Sequence, residues 1–241
     1  IIFCKFEYET PLAQIKENGM KNILARGGIE FLAVFLGIAL SLYVDEWREE
    51  NQIRERLIAD YHSIQKDLDI DIPYLEQIIE GQKKSYQNGM EMIQMLDKER
   101  SFNYDKFVKS SLFVSSGSTF FGTKASYQAS ISSGRLTYFG IDSLSNEVGK
   151  VYEHHYNRLD LNGLLLDELN FFKLPDINSG PRYLSEKIKQ QNLDKIFSPE
   201  YYHQLKDFLV LQSSYIRKCK WALEQMKKVN LLLLYQLKIK S

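Results

Sequence analysis

The run from Gly27 to Val44, GGIEFLAVFLGIALSLYV, limits the possible folds of this chain more than any other feature. It carries one charge, Glu30, and is bounded by Arg26 and by Asp45, Glu46, Arg48, Glu49 and Glu50 around Trp47. An apolar helix of about 18 to 20 residues is long enough to cross the hydrocarbon core of a bilayer. A soluble core helix is usually shorter and keeps a polar stripe, which this run lacks. A cleaved signal peptide would find small residues at the right spacing in Ala39-Leu40-Ser41. The sequence carries residues on both sides of that site, and the expectation is a membrane-spanning helix over residues 27–44.

The partition derives from the span. Residues 1–26 form a short cytoplasmic or interfacial segment, residues 27–44 the transmembrane helix, and residues 45–241 a helical-bundle domain. Lys16, Lys21 and Arg26 precede the span while Arg48, Arg54 and Arg56 come after it, so the positive-inside count is nearly balanced. The orientation adopted has the N-terminus inside and the bundle outside. Within the span, Ala33, Gly37 and Ser41 recur every four residues, which places small side chains on one face where another helix can approach closely. Glu30 lies one turn before Ala33 and four residues after Arg26. It is read either as a carboxylate at a helix contact or as a shallow partner of Arg26.

Charge narrows the function classes. The 31 basic and 31 acidic residues cancel and no basic block occurs, which argues against nucleic acid as a partner. Cys4 and Cys219 lie on opposite sides of the span, so no disulfide framework is expected. Asp67, Asp69 and Asp71 alternate as at the start of a calcium loop, but Ile72 replaces the turn glycine and Ile78 the bidentate glutamate; a solvated helix end is expected. His154 and His155 are adjacent, about 100° apart on a helix, and cannot chelate one ion well; His155 is placed in the core and His154 outside. The serines at 115–118 and 130–133 sit in no nucleophile elbow, and turn and cap roles account for them. No cofactor, metal or catalytic residue is expected, and the tyrosines are read as core packing.

Helical patterning dominates the chain beyond the span. Trp47, Leu57, Tyr61, Ile64 and Leu68 form an apolar seam suited to helix–helix or partner contact. Pro73 should interrupt or kink that helix. A second run passes Leu75, Tyr86, Met90 and Ile93, and residues 98–103 make a break. Short helices are expected over 104–114 and 123–133, the latter ended by Gly134 in the left-handed conformation. Asp142 or Ser143 caps a helix with the face Leu144, Val148, Val151, His155 and Leu159, running to Phe172. Residues 175–181 are a loop. Ser198 and Pro199 open a final helix of about 40 residues, with Tyr201, Leu205, Phe208, Gln212, Tyr215, Cys219, Ala222, Met226, Val229 and Leu233 on one seam. Before the span, residues 1–10 read as a short strand or membrane-surface segment, Pro11 to Asn22 as an amphipathic helix, and Met20 as a plausible translation start. The fold class is all-α: a transmembrane helix continuing into a bundle of long antiparallel helices.

Two blocks resemble a family of uncharacterised single-span bacterial membrane proteins, a domain-of-unknown-function family numbered 6090. The first is Gly28-Ile29-Glu30, the apolar run through Gly37-Ile38-Ala39-Leu40, and Glu46-Trp47-Arg48-Glu49-Glu50. The second is Ser126-Tyr127 with Ser132-Ser133-Gly134-Arg135-Leu136, followed by a helix ending in Tyr152 to Tyr156. Ser130 departs from the pattern, where a leucine is expected, and Asp45-Glu46 stand where asparagine is commoner. The resemblance implies no activity. It implies a short inner N-terminus, one span in the inner membrane, and a helical domain in the periplasm of a Gram-negative cell.

The function expected is that of a membrane-anchored, non-enzymatic accessory or scaffold subunit that binds a membrane-protein partner or itself. A ligand-sensing bundle is the alternative, favoured by a pocket lined by Arg135, His155 or Arg158. An enzyme without a recognisable signature is the third reading.

Overall fold

A computed structural model of the chain describes residues 11–115, 117–138, 143–172 and 186–240. The expected N-terminal strand, the Asp142 cap, Cys4 and the 175–181 loop lie outside those residues. Every described element is helical, with no strand among them. The chain divides into two compact units, Ile1–Glu55 and Arg56–Ser241.

The first unit is the beginning of helix α1 (Pro11–Asp97). Its apolar stretch has a mean hydropathy of 1.9, and none of it is buried. Phe31, Phe35, Ile38 and Leu42 all face outward, with the Phe31 and Phe35 rings 6.3 Å apart. The stretch is therefore a candidate membrane span.

In the second unit α1 runs on through Pro73, so of the two outcomes expected there, interruption or kink, interruption does not occur. An interior proline removes one backbone bond and crowds the preceding turn, at roughly 3 kcal/mol. Leu68 before it and Leu75, Ile78 and Ile79 after it are all buried, and that burial carries the helix through. α1 ends at Asp97, next to the polar stretch expected to break it, and a 3₁₀ turn comes next at Glu99–Ser101. The Asn103 side chain accepts from Lys106 N–H at 2.9 Å and so caps α2 (Tyr104–Ser115). Helix α3 (Ala125–Ser132) ends as expected at Gly134, whose φ of 72° is the left-handed conformation that glycine adopts without strain. α4 (Arg135–Tyr138) comes directly after it.

Helix α5 (Ser143–Gly149) passes into a π-helical segment, Lys150–Tyr156, and then α6 (Asn157–Phe172). The wider π turn changes which residues face inward. Val148, Val151 and Leu159 are buried as expected, but Tyr152 and Tyr156 join them while His155 is only half-buried. Helix α7 (Glu186–Ile196) has no counterpart in the sequence expectation. Ser198 opens α8 (Pro199–Lys240), its hydroxyl accepting from Tyr201 N–H at 3.2 Å. The 42 residues of α8 span about 60 Å, and every expected seam position from Tyr201 to Leu233 is buried.

α8 runs antiparallel to the second half of α1. Asn230 bonds to Asp69, Lys227 to Glu76, Gln212 to Gln82 and Tyr202 to Asp97, so position falls along α8 as it rises along α1. The shorter helices pack on this pair.

Candidate functional site

The expected membrane-face residues Glu30, Ala33, Gly37 and Ser41 all lie exposed on α1, and apart from the adjoining helix backbone nothing lies within 4 Å of where a Gly37 Cβ would stand. Trp47 is also exposed. Leu57, Tyr61, Ile64 and Leu68 behave differently: all four are buried within the chain, and the Tyr61 hydroxyl lies 3.1 Å from that of Ser145. That seam is filled by the chain's own helices, so the open surface has to be sought elsewhere.

Polar chemistry is concentrated in three networks that are buried or partly buried. Asp71 corrects the expectation of a solvated helix end, being only 2% exposed. Because α1 continues past Pro73, Asp71 falls on the same face as Leu68 and Leu75. Its Oδ2 accepts from Thr123 N–H at 2.7 Å and from the Tyr156 hydroxyl at 2.8 Å, and its Oδ1 from the Thr123 hydroxyl at 3.1 Å. Burial, and then the nearby Asp71 charge, raise the Tyr156 pKa far above the ordinary tyrosine value, so Tyr156 stays a neutral donor. Asp67 is half-buried and Asp69 exposed; Asp69 holds Asn230 and Gln65. Tyr152, raised likewise by burial and then by Asp67, stacks on Tyr127 at 4.4 Å.

The second network holds the residues of the Ser-Gly-Arg block. Arg135 grips Asp60 with two bonds, Nε to Oδ2 at 2.6 Å and Nη2 to Oδ1 at 3.0 Å, and the Ser130 hydroxyl donates to the same Oδ2 at 2.8 Å. Ser130 thus has a polar partner here. In the third, the Gln212 amide donates to Gln82 Oε1 at 2.8 Å and to Ser85 Oγ at 2.7 Å, while Gln82 and Ser85 donate to the carbonyls of Ser118 and Val114.

These networks tie α1 to the loops and helices around it, and each is closed from solvent or half-closed. Burial raises the Cys219 pKa to about 12, which leaves its thiol unreactive. His155 has its pKa lowered by burial, then by His154 and Arg158. Among the described residues no three His, Cys, Asp or Glu side chains converge to hold a metal ion. The cavity near this end, about 410 Å³, is lined by Ile131, Leu136, Gly149, Lys150 and His154, while Arg135 is committed to Asp60.

The open surface lies between α1 and α8. Two adjoining hollows of about 540 and 520 Å³ share Tyr86, Ser213 and Arg217 and form one groove. Val210, 71% exposed, Trp221, 48%, and Met90, 38%, supply its apolar surface. Lys83, Lys206, Arg217 and Lys220 rim it against one carboxylate, Glu224. The Arg217 guanidinium lies 5.6 Å from the Trp221 ring centroid. Sequence reasoning follows the α8 seam and misses this face; the signal was Val210 and Trp221 standing off the seam among cations.

Neither a curated protein nor a solved structure matches the chain. The sequence pattern of a family of unknown function, DUF6090, matches residues 30–196, from the apolar stretch of α1 to the end of α7, and includes Asp60, Asp71, Ser130, Arg135 and Tyr156. The chain belongs to that family.

Proposed function

We propose that this protein is a membrane-anchored, non-enzymatic accessory or scaffold subunit of the bacterial inner membrane. In this reading residues 27–44 form the anchor, the N-terminus is cytoplasmic, and the helical domain stands in the periplasm and binds a protein partner or a second copy. The observation that carries it is the apolar stretch of α1, hydropathic enough to span and with none of it buried. Apolar surface of that extent on a single helix calls for lipid or another helix. The buried carboxylates support the same reading, since their partners are structural donors and not a space for substrate.

Extraction of the full-length protein in a mild detergent, with mass spectrometry of what co-purifies, tests the partner. A stoichiometric protein or a stable oligomer is the expected result, and a bare monomer refutes it. A cysteine at Asn178, in a background without Cys4 and Cys219, tests orientation: an impermeant thiol reagent should label it in cells with a permeable outer membrane. Labelling only after inner-membrane lysis refutes the periplasmic placement.

A further inference from the structure

The α1–α8 groove has a chemistry that selects its occupant, and we propose that it receives an amphipathic helix with acidic flanks from a partner protein. This rests on the reading of the protein as a partner-binding subunit and names the partner's recognition element.

Three observations carry it. The first is charge: four cations and one carboxylate line the groove on a chain whose net charge is zero. Lys83 pairs with Glu80 and Lys206 lies over the Tyr202 ring, but among the described residues no ion pair joins Lys206, Arg217 or Lys220 to a carboxylate, so the charge of these three can meet an incoming acidic side chain. The second is the apolar floor. Val210, Met90 and Trp221 are exposed between those cations, and an apolar strip flanked by charge is the surface an amphipathic helix reads with positions i, i+3, i+4 and i+7.

The third is the backbone. Both walls are α-helices whose N–H and C=O groups are bonded within each helix, so the groove offers no strand edge to an extended peptide. From Lys206 to Glu224 the α8 wall is about 27 Å long, matching a partner helix of about 18 residues. A second copy of this chain is disfavoured on this face. A two-fold contact would bring together two faces that each carry four cations and one carboxylate.

The test places a photo-crosslinking phenylalanine analogue at Val210 in the full-length, membrane-embedded protein and sequences the crosslinked peptide. The exposure of Val210 lets the fold tolerate the change. The expected product is a segment of another protein with apolar residues at helical spacing between Asp or Glu. Combining it with Arg217→Glu and Lys220→Glu should lower the crosslink yield at least tenfold while the thermal melt stays unchanged. A crosslink to a second copy, to residues 173–185 of the same chain, to lipid or to a basic segment overturns the inference. So does a yield indifferent to charge reversal. A partner that co-purifies but never crosslinks here overturns the groove alone, whereas absence of any partner or oligomer overturns the reading beneath it.

Discussion

Replacing Asp71 by alanine tests whether the domain is organised around its buried carboxylate. The side chain satisfies Thr123 N–H, the Thr123 hydroxyl and the Tyr156 hydroxyl, all at 3.1 Å or less. Alanine leaves the buried Tyr156 phenol without an acceptor, at about 1–3 kcal/mol, and removes the part-buried bonds to the exposed Thr123, at about 1 kcal/mol more, so a loss of roughly 2–4 kcal/mol is expected. For a unit of this size that lowers Tm by on the order of 10 °C. Tyr156→Phe removes one donor and leaves the carboxylate two partners, so about 1 kcal/mol is expected. Guanidinium unfolding of the detergent-solubilised full chain and thermal melts, both read by far-ultraviolet circular dichroism, measure the two variants. In the double variant the combined loss should be smaller than the sum of the two single losses, because they share one bond. A thermal midpoint for Asp71→Ala within about 3 °C of the parent, against the shift expected from the lost bonds, would mean that water reaches the carboxylate, and the account of this network would be wrong.

Three further outcomes are expected. Hydrogen bonds from Gln225, Lys150 and Lys228 hold the Glu147 pKa down to about 2 from 4.5, so its stabilisation is complete above pH 4.5 and lost as pH falls towards 2. Both lysines are about half-exposed, so solvent screening holds the worth to about 1 kcal/mol, and Glu147→Gln should flatten the acid limb of a stability–pH profile by that amount. Gly122→Ala would place a methyl 2.1 Å from the Tyr156 ring, and a loss of about 1–3 kcal/mol in denaturant unfolding is expected; an unchanged midpoint would show that the ring moves freely. Gly37→Leu should reduce crosslinked oligomers without changing helical content, by forcing apart helices that meet at Ala33, Gly37 and Ser41; unchanged oligomers would remove that face from the assembly.

The long helices are legible in the sequence because their signals repeat. The α8 seam recurs over about nine turns beyond a serine cap, and all of it is buried. Asp71 misleads, and the helix runs uninterrupted through Pro73 beside it, for one reason. Local rules weigh a proline and three aspartates within a few residues as a helix end, while the packing that overrides them comes from Thr123 and Tyr156, far along the chain. The π turn is hidden as well, since a 3.6-residue period assigns His155 the inward place that Tyr156 takes. α7 carries few apolar residues, and among its described side chains Asn192 and Ile196 are the buried ones. The groove escapes a linear reading because its two walls, around residues 83–93 and 206–224, become one surface only when α1 and α8 are side by side.

The antiparallel pairing of α1 with α8 also sets an order of events during synthesis. Gln212 and Asn230 reach partners 130 and 161 positions earlier. Loops of that length close late, since their ordering entropy is lost before any contact offsets it. As the chain emerges, the faces of α1 and the inner helices that α8 will cover, with the polar side chains of Gln82 and Ser85, therefore stay open to water until α8 has been made. For that interval the nascent domain presents an incomplete apolar surface, the kind that chaperones hold and that aggregation exploits.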